Sequence, residues 1–251
     1  MELPTQFEER VRPDIVKRAV LSIQSKNRQK YGADPEAGLR HVVRWRQRNN
    51  AYRSRKGRGQ SRIPRKVMHS RGMQIYGEGA ESPSTRGGRA AHPPKAEKDF
   101  EEEINDKERR KAIRSAITAT TKEDLVQENH RYNGEVPLVE EGLEDLEKTK
   151  EVQEKLEELG LEEELDRAAD TSFRAGQGSN RGRKYNNRTG PLLVLGEHTN
   201  AIKAAQNIPG VDAVTVENLN AQLLSSGVKP GRLTVWSQEA VDRLEEENLF
   251  R

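Results

Sequence analysis

Residues 192–247 read LLVLGEHTNAIKAAQNIPGVDAVTVENLNAQLLSSGVKPGRLTVWSQEAVDRLEEE, and this stretch decides the fold. Leu192–Leu195 is an unbroken apolar run, which marks a strand covered on both faces. Thr199–Asn207 has helical spacing, Val211–Val216 is a second strand, and Glu217–Leu224 reads as a helix. Leu233–Trp236 is a third strand and Gln238–Glu247 a closing helix. Strand–helix alternation implies a parallel sheet with right-handed crossovers. A further strand is expected near Val136–Val139, where Pro137 limits hydrogen bonding. The pattern therefore predicts an α/β three-layer sandwich, with a central mostly parallel sheet of about four strands and helices on both faces.

Helices precede this block. Pro13 suits a first helical position and Asp14 a first turn. Ile15, Val16, Ala19, Val20 and Ile23 then form one apolar stripe. The helix is expected over 13–30, with Lys26, Arg28 and Lys30 in its last turn and Gly32 as its stop. Asn105 and Glu108 have the spacing of a reciprocal cap for a helix reaching about Thr120. Residues 143–159 read as an acidic helix stopped by Gly160, followed by a short one over Leu161–Ala169.

Between these parts lies a segment of opposite character. From Arg40 to Lys98 there are sixteen Lys and Arg against three acids, with no sustained apolar period of either kind. Such a composition does not bury enough apolar surface to fold by itself. Fixing some fifty backbone residues costs on the order of 50–100 kcal/mol. A polyanion supplies the compensation, because each cation placed on a phosphate releases condensed counterions. The segment is therefore expected to order inside RNA. Its candidate contacts are Arg44, Arg46, Arg48, Arg53, Arg65, Lys66 and Arg71. Trp45, Tyr52 and Tyr76 lie among them and offer faces for unpaired bases. Arg86-Gly87-Gly88-Arg89 sets two guanidinium groups around residues without Cβ. The domain organisation read from charge is residues 1–39 and 99–251 as a globular α/β domain, with 40–98 as a long extended internal loop.

A second basic, glycine-rich loop spans 174–188, with Arg174, Arg181, Arg183, Lys184 and Arg188 and no acid. Gly176, Gly178 and Gly182 are spaced GxGxxxG without a clear preceding strand, so a dinucleotide fingerprint is rejected. Backbone contact with RNA fits the five cations better. From Asp99 to Asp170 the balance reverses, with twenty-four acids against eleven bases.

Other classes lose ground. There is no cysteine, hence no disulfide framework or thiolate metal site. The five histidines lack HxxxH or HExxH spacing. No apolar run reaches membrane-spanning length, and the start, MELPTQFEER, lacks a signal-peptide apolar core. A nucleotide-dependent α/β enzyme would need a phosphate loop or a carboxylate–histidine constellation at the strand ends. After Leu195 stands GEHTN, with His198 the only candidate. A free RNA-binding or regulatory module remains an alternative class.

RPDIVKRAV (12–20), KGRGQSRIPR (56–65), GGRAAHPPKAEK (87–98), NDKERRKAIRSAITATT (105–121), RAGQGSNRGRKY (174–185) and PGRLTVW (230–236) together resemble the uL4 family of large-subunit ribosomal proteins, in its archaeal and eukaryotic form. The resemblance covers nearly the whole chain. It implies a structural, non-enzymatic, cytoplasmic protein of the ribosome that binds large-subunit ribosomal RNA and neighbouring ribosomal proteins and supports assembly. No cofactor of its own is implied beyond structural Mg2+ or K+ of the surrounding RNA. A long loop would penetrate the RNA, with Arg55, Lys56, Arg58, Gln60 and Arg62 on its inward strand. Arg86, Arg89, His92 and Lys95 would lie on the return, and the loop from Arg174 to Tyr185, with Arg181, Arg183 and Lys184, would be a second contact. The stretch Pro64–Gly77 would lie nearest the tip, at the constriction of the polypeptide exit tunnel. There Met68, His69, Arg71, Met73 and Gln74 are the candidates to meet the nascent polypeptide. The chain starts at the ELP that in the family follows an N-terminal β-hairpin, so a sheet without that hairpin is expected. Val67–Thr85 departs from the family pattern, and the acidic middle is also particular to this chain.

Overall fold

A computed structural model of the protein describes residues 3–43, 56–57, 59–72 and 74–250. The chain divides into two packed units, Met1–Asn27 with Glu101–Arg251, and Arg28–Phe100.

In the first unit a 3-10 turn, Thr5–Phe7, precedes α1 (Pro13–Lys26). α1 stops earlier than the charge pattern suggests. The Asn27 N–H donates back to Ile23 O (3.2 Å) and closes the helix. Arg28 and Lys30 therefore lie beyond it, since asparagine is a poor helix-interior residue. In the second unit β1 (Arg65–Arg71) and β2 (Gln74–Gly79) form a hairpin. Back in the first unit follow α2 (Asp106–Ala119), α3 (Glu123–Gln127), β3 (Leu138–Glu140), α4 (Thr149–Glu158) and α5 (Glu162–Ala169). A small ribbon comes next: β4 (Ser172–Phe173), one helical turn α6 (Gln177–Asn180) and β5 (Tyr185–Asn186). The chain closes with β6 (Leu192–Leu195), α7 (Asn200–Gln206), β7 (Asp212–Thr215), β8 (Ser225–Ser226), β9 (Lys229–Pro230), β10 (Thr234–Ser237) and α8 (Gln238–Glu246).

The main sheet has the order β3-β10-β6-β7, and every pairing in it is parallel. Val235 stands between Leu138 and Leu193, and Leu193 pairs with Ala213. Successive strand residues face opposite sides, which builds two apolar layers. Leu192, Val194 and Trp236 pack with Val16, Val20, Ala116, Ile117 and Leu244 of α1, α2 and α8. Leu193, Leu195 and Val235 pack with Val152, Leu156, Leu165, Ile202 and Ala205 of α4, α5 and α7. The α/β three-layer sandwich is thus present, with four parallel strands.

Three local expectations differ. Glu217–Leu224 is not a helix: Val216–Asn218 makes a single 3-10 turn and the chain leaves it. Asn218 Nδ2 donates to Thr215 Oγ1 (2.9 Å) and Asn220 Oδ1 accepts from the Leu223 N–H (2.9 Å). The Asn220 side chain thus offers the backbone a local partner in place of a helical one, while Asn218 ties the turn to the Thr215 hydroxyl. Asn105 makes no side-chain cap, and Glu108, its expected reciprocal partner, points instead to Arg18 of α1 (3.3 Å). Residues 143–148 are not helical, and α4 begins only at Thr149. Glu144 instead reaches across to the Gly196 N–H (2.6 Å) and Ser237 Oγ (2.7 Å) at the sheet edge.

The second unit also holds regular structure where periodicity predicts none. The hairpin register runs from Arg65↔Gly79 through Lys66↔Glu78 to Arg71↔Gln74, with a shift between Val67 and His69. Gly72, at φ 53°, begins the turn. Because much of the hairpin is exposed, no buried face imposes an alternating pattern on its sequence. Residues 28–39, which the charge pattern leaves with the globular domain, pack with this unit. The Ala33 N–H donates to Pro94 O (2.9 Å), and a Cβ on Gly32 would lie 2.5 Å from the Ala96 nitrogen.

Candidate nucleic-acid interface

The cations of the second unit fall into two groups. Some are engaged by their own chain. Arg65 spans the hairpin base, donating to Gly77 O (3.2 Å) and Ser61 Oγ (2.8 Å). Lys66 faces Glu78 across the strands at 3.6 Å, and Arg40 pairs with Asp34 and Glu36. The others are exposed. Arg62, Arg71, Arg86, Arg89 and Lys95 have no ion pair among the described residues, and Gln60 and His92 are exposed as well. An unpaired guanidinium in water is the form that can grip a phosphate bidentately. Arg44, Arg46, Arg48, Arg53, Arg55, Arg58 and Met73 lie outside the described residues. Of the expected tunnel residues, Met68, His69, Arg71 and Gln74 are exposed on the hairpin.

The glycines of RGGR have separate reasons. Gly88 needs to lack a Cβ because one would lie 2.0 Å from Ser82 O, inside the turn that the Thr85 N–H and Gly88 N–H close. Gly87, at φ 69°, has open space where its Cβ would be. Gly88 thus shapes the turn that presents Arg86 and Arg89, and Gly87 is the residue open to an approaching backbone.

In the first unit the second basic loop is a ribbon. Ser172 pairs with Asn186 and Phe173 with Tyr185, and the Arg174 N–H donates to Lys184 O (2.8 Å). Arg174, Arg181 and Arg183 are exposed without an ion pair among the described residues. Phe173 and Tyr185 lie 5.3 Å apart, with Lys184 Nζ 5.4 and 5.7 Å from their ring centres. Sequence reading finds Tyr185 but misses Phe173, which is 72% exposed. Its position next to Arg174, in a loop otherwise polar, was the available signal. The ribbon is tied at its base, where Arg188 pairs with Asp170 (2.7 Å) and Arg167 donates to Thr189 O (2.6 Å).

The carboxyl edge of the sheet is where α/β proteins bind nucleotides. Here it is negative and already occupied. The Gly196 N–H, at the end of β6, is taken by Glu144, which also holds the neighbouring Glu239 up to about 7. A phosphate would meet carboxylates there, and His198 stands exposed with no catalytic partner pointed at it. No described helix is long and apolar enough to cross a membrane.

A sheet edge closed by carboxylates, and two loops rich in exposed cations, suit a scaffold rather than a catalyst. Residues 1–247 match the Ribosomal protein L4/L1 family. The chain is 48% identical over 252 residues to the large ribosomal subunit protein uL4 of Nanoarchaeum equitans, covering 100% of this chain and 94% of that one. It is 44% identical to the same-named proteins of Archaeoglobus fulgidus (98% of this chain, 93% of the relative) and Halobacterium salinarum (97% and 93%). The chain belongs to the Ribosomal protein L4/L1 family; it is a ribosomal protein with a structural role, and not an enzyme.

Proposed function

We propose that this protein is built into the large ribosomal subunit and holds its ribosomal RNA with the two basic loops. The observation that carries this is the set of exposed guanidinium groups with no carboxylate partner among the described residues, Arg62, Arg86 and Arg89 in one loop and Arg174, Arg181 and Arg183 in the other. Phosphate contacts of this kind position a protein on RNA by shape and charge more than by base sequence. Neighbouring ribosomal proteins complete the surroundings, the ribosome places the chain in the cytoplasm, and ions bound there are those of the RNA. The hairpin Arg65–Gly79, with Met68 and His69 exposed, is the part assigned to the exit tunnel and the nascent polypeptide.

Binding of the full chain to large-subunit ribosomal RNA, titrated over a range of salt, tests this. The slope of log affinity against log salt reports the number of phosphates neutralised. Arg62→Glu, Arg86→Glu and Arg89→Glu combined should flatten that slope and weaken binding by tenfold or more, on the order of the loss expected for several phosphate contacts. An unchanged slope and affinity would refute the loop reading. Cross-links from stalled nascent chains to Met68 or His69 test the tunnel assignment, and their absence from the whole hairpin would reject it.

A further inference from the structure

Tyr31 and Phe100, sixty-nine positions apart, stack with ring centres 5.3 Å apart and planes inclined by 25°. The guanidinium carbon of Arg28 lies 5.5 Å from the Tyr31 ring centre and 5.0 Å from that of Phe100. Three planar groups thus stand at the corners of a nearly equilateral triangle, and Lys98 Nζ adds a second cation 5.6 Å from Phe100. A cavity of about 680 Å3 opens beside them, walled also by His92, Pro93, Pro94, Lys95 and one carboxylate, Glu97. Among the described residues these surfaces remain partly open. Tyr31 is 51% exposed, and His92, Lys95 and Lys98 are exposed as well.

This is not how a buried clasp is built. A pair that only closed the neck of the unit would turn its rings inward and exclude water. Here a stacked aromatic pair faces an open cavity whose rim carries Lys95 and Lys98 against the single carboxylate of Glu97. That combination suits one class of ligand, a flat, electron-rich ring carrying negative charge. Aromatic faces and guanidinium planes stack on nucleobases whose neighbours have been splayed apart, while lysines take the adjoining phosphates.

We infer that the cavity beside Tyr31 and Phe100 holds a single unstacked base of RNA, with Tyr31 as the stacking face and Arg28, Lys95 and Lys98 on the flanking phosphates. The proposal rests on the RNA-binding reading above and deepens it. It adds a site for base stacking to contacts otherwise made with phosphate.

The test uses the full chain and large-subunit ribosomal RNA, comparing Tyr31→Phe, Tyr31→Leu and Tyr31→Ala. Tyr31→Phe keeps the ring and should bind as the parent does. Tyr31→Leu and Tyr31→Ala should each weaken binding about tenfold or more, the scale of one lost stacked base, with the salt slope unchanged. Ultraviolet cross-linking of the unsubstituted protein to the same RNA, followed by peptide mapping, supplies a readout that needs no variant. A nucleotide adduct on Tyr31, His92 or Phe100 supports the site; adducts confined to other segments overturn it. Should all three variants bind like the parent while the arginine reversals weaken binding, the cavity proposal fails and the RNA reading stands. Should neither set change binding, both fail.

Discussion

His130 Nδ1 lies 2.6 Å from Glu164 Oε1, and solvent reaches neither side chain. Glu164 also accepts from the Arg131 N–H (2.9 Å) and from Arg167 Nε and Nη2 (2.7 and 2.6 Å). Arg167 in turn holds Thr189 O at 2.6 Å, at the foot of the second basic ribbon. A buried carboxylate therefore fixes the arginine that fixes the ribbon. Breaking a buried pair from one side leaves an uncompensated charge and is costly.

The acid behaviour of Glu164 follows. Burial pushes its carboxyl up, but the hydrogen bonds from Arg167, His130 and the Arg131 N–H outweigh this and bring it from 4.5 to about 2. A carboxyl depressed in the folded state stabilises it above the ordinary value and loses that contribution as pH falls through the folded one. A shift of this size is worth about 3 kcal/mol. Denaturant unfolding of the parent should weaken by that order between pH 4.5 and 2. Glu164→Gln should be roughly 3–5 kcal/mol less stable at neutral pH, with a flatter acid limb. Equal stability of the two at neutral pH would show that the network carries no such load.

Arg232 makes a similar prediction on the opposite charge. It is 2% exposed, and its guanidinium donates to Gly190 O (2.9 Å), Leu223 O (3.1 Å) and Asp212 Oδ2 (2.6 Å). Burial lowers its pKa, and Asp212 acts against that. One planar fork thus serves the entrance to β6, the start of β7 and the turn before β8. Arg232→Met leaves the Gly190 and Leu223 carbonyls unmet, while the half-exposed Asp212 stays hydrated, and should cost about 2–4 kcal/mol in a denaturant melt. Arg232→Lys should recover little, because an ammonium does not reproduce the fork. A loss below about 1 kcal/mol for Arg232→Met would contradict this.

Much of the fold was legible because strands buried on both faces leave apolar runs: Leu192–Leu195 is unbroken, and Leu233–Trp236 is interrupted only by Thr234. The helix read over 217–224 was not there because Asn220 gives the backbone a closer partner and Asn218 bonds the Thr215 hydroxyl, effects that apolar spacing does not display. The hairpin at 65–79 was invisible because largely exposed strands carry no period. Composition located the cations. It did not separate Arg65, Lys66 and Arg40, which bind their own chain, from Arg62, Arg86 and Arg89, which do not, since that division depends on turns. Tyr31 and Phe100 meet only because the second unit closes on itself, and no local spacing announces it.

Gly38 gives a test of how the second unit holds its cations. Its φ is 78°, and a Cβ there would lie 2.5 Å from the Arg89 nitrogen. Gly38→Val should therefore displace the Arg86–Arg89 turn and strain the backbone. RNA affinity should fall several-fold, on the order of one or two lost phosphate contacts, while the thermal unfolding of the α/β unit stays within a degree or two. Parent-like affinity would mean that the turn adjusts without moving its arginines.

The most direct measurement is sedimentation of large subunits from cells expressing the tagged protein, after a high-salt wash. The parent chain should remain in the large-subunit peak. The Arg62→Glu, Arg86→Glu, Arg89→Glu chain, though folded by its melting curve, should stay at the top of the gradient. Recovery of both in the subunit peak in equal amounts would contradict the role given to the exposed arginines.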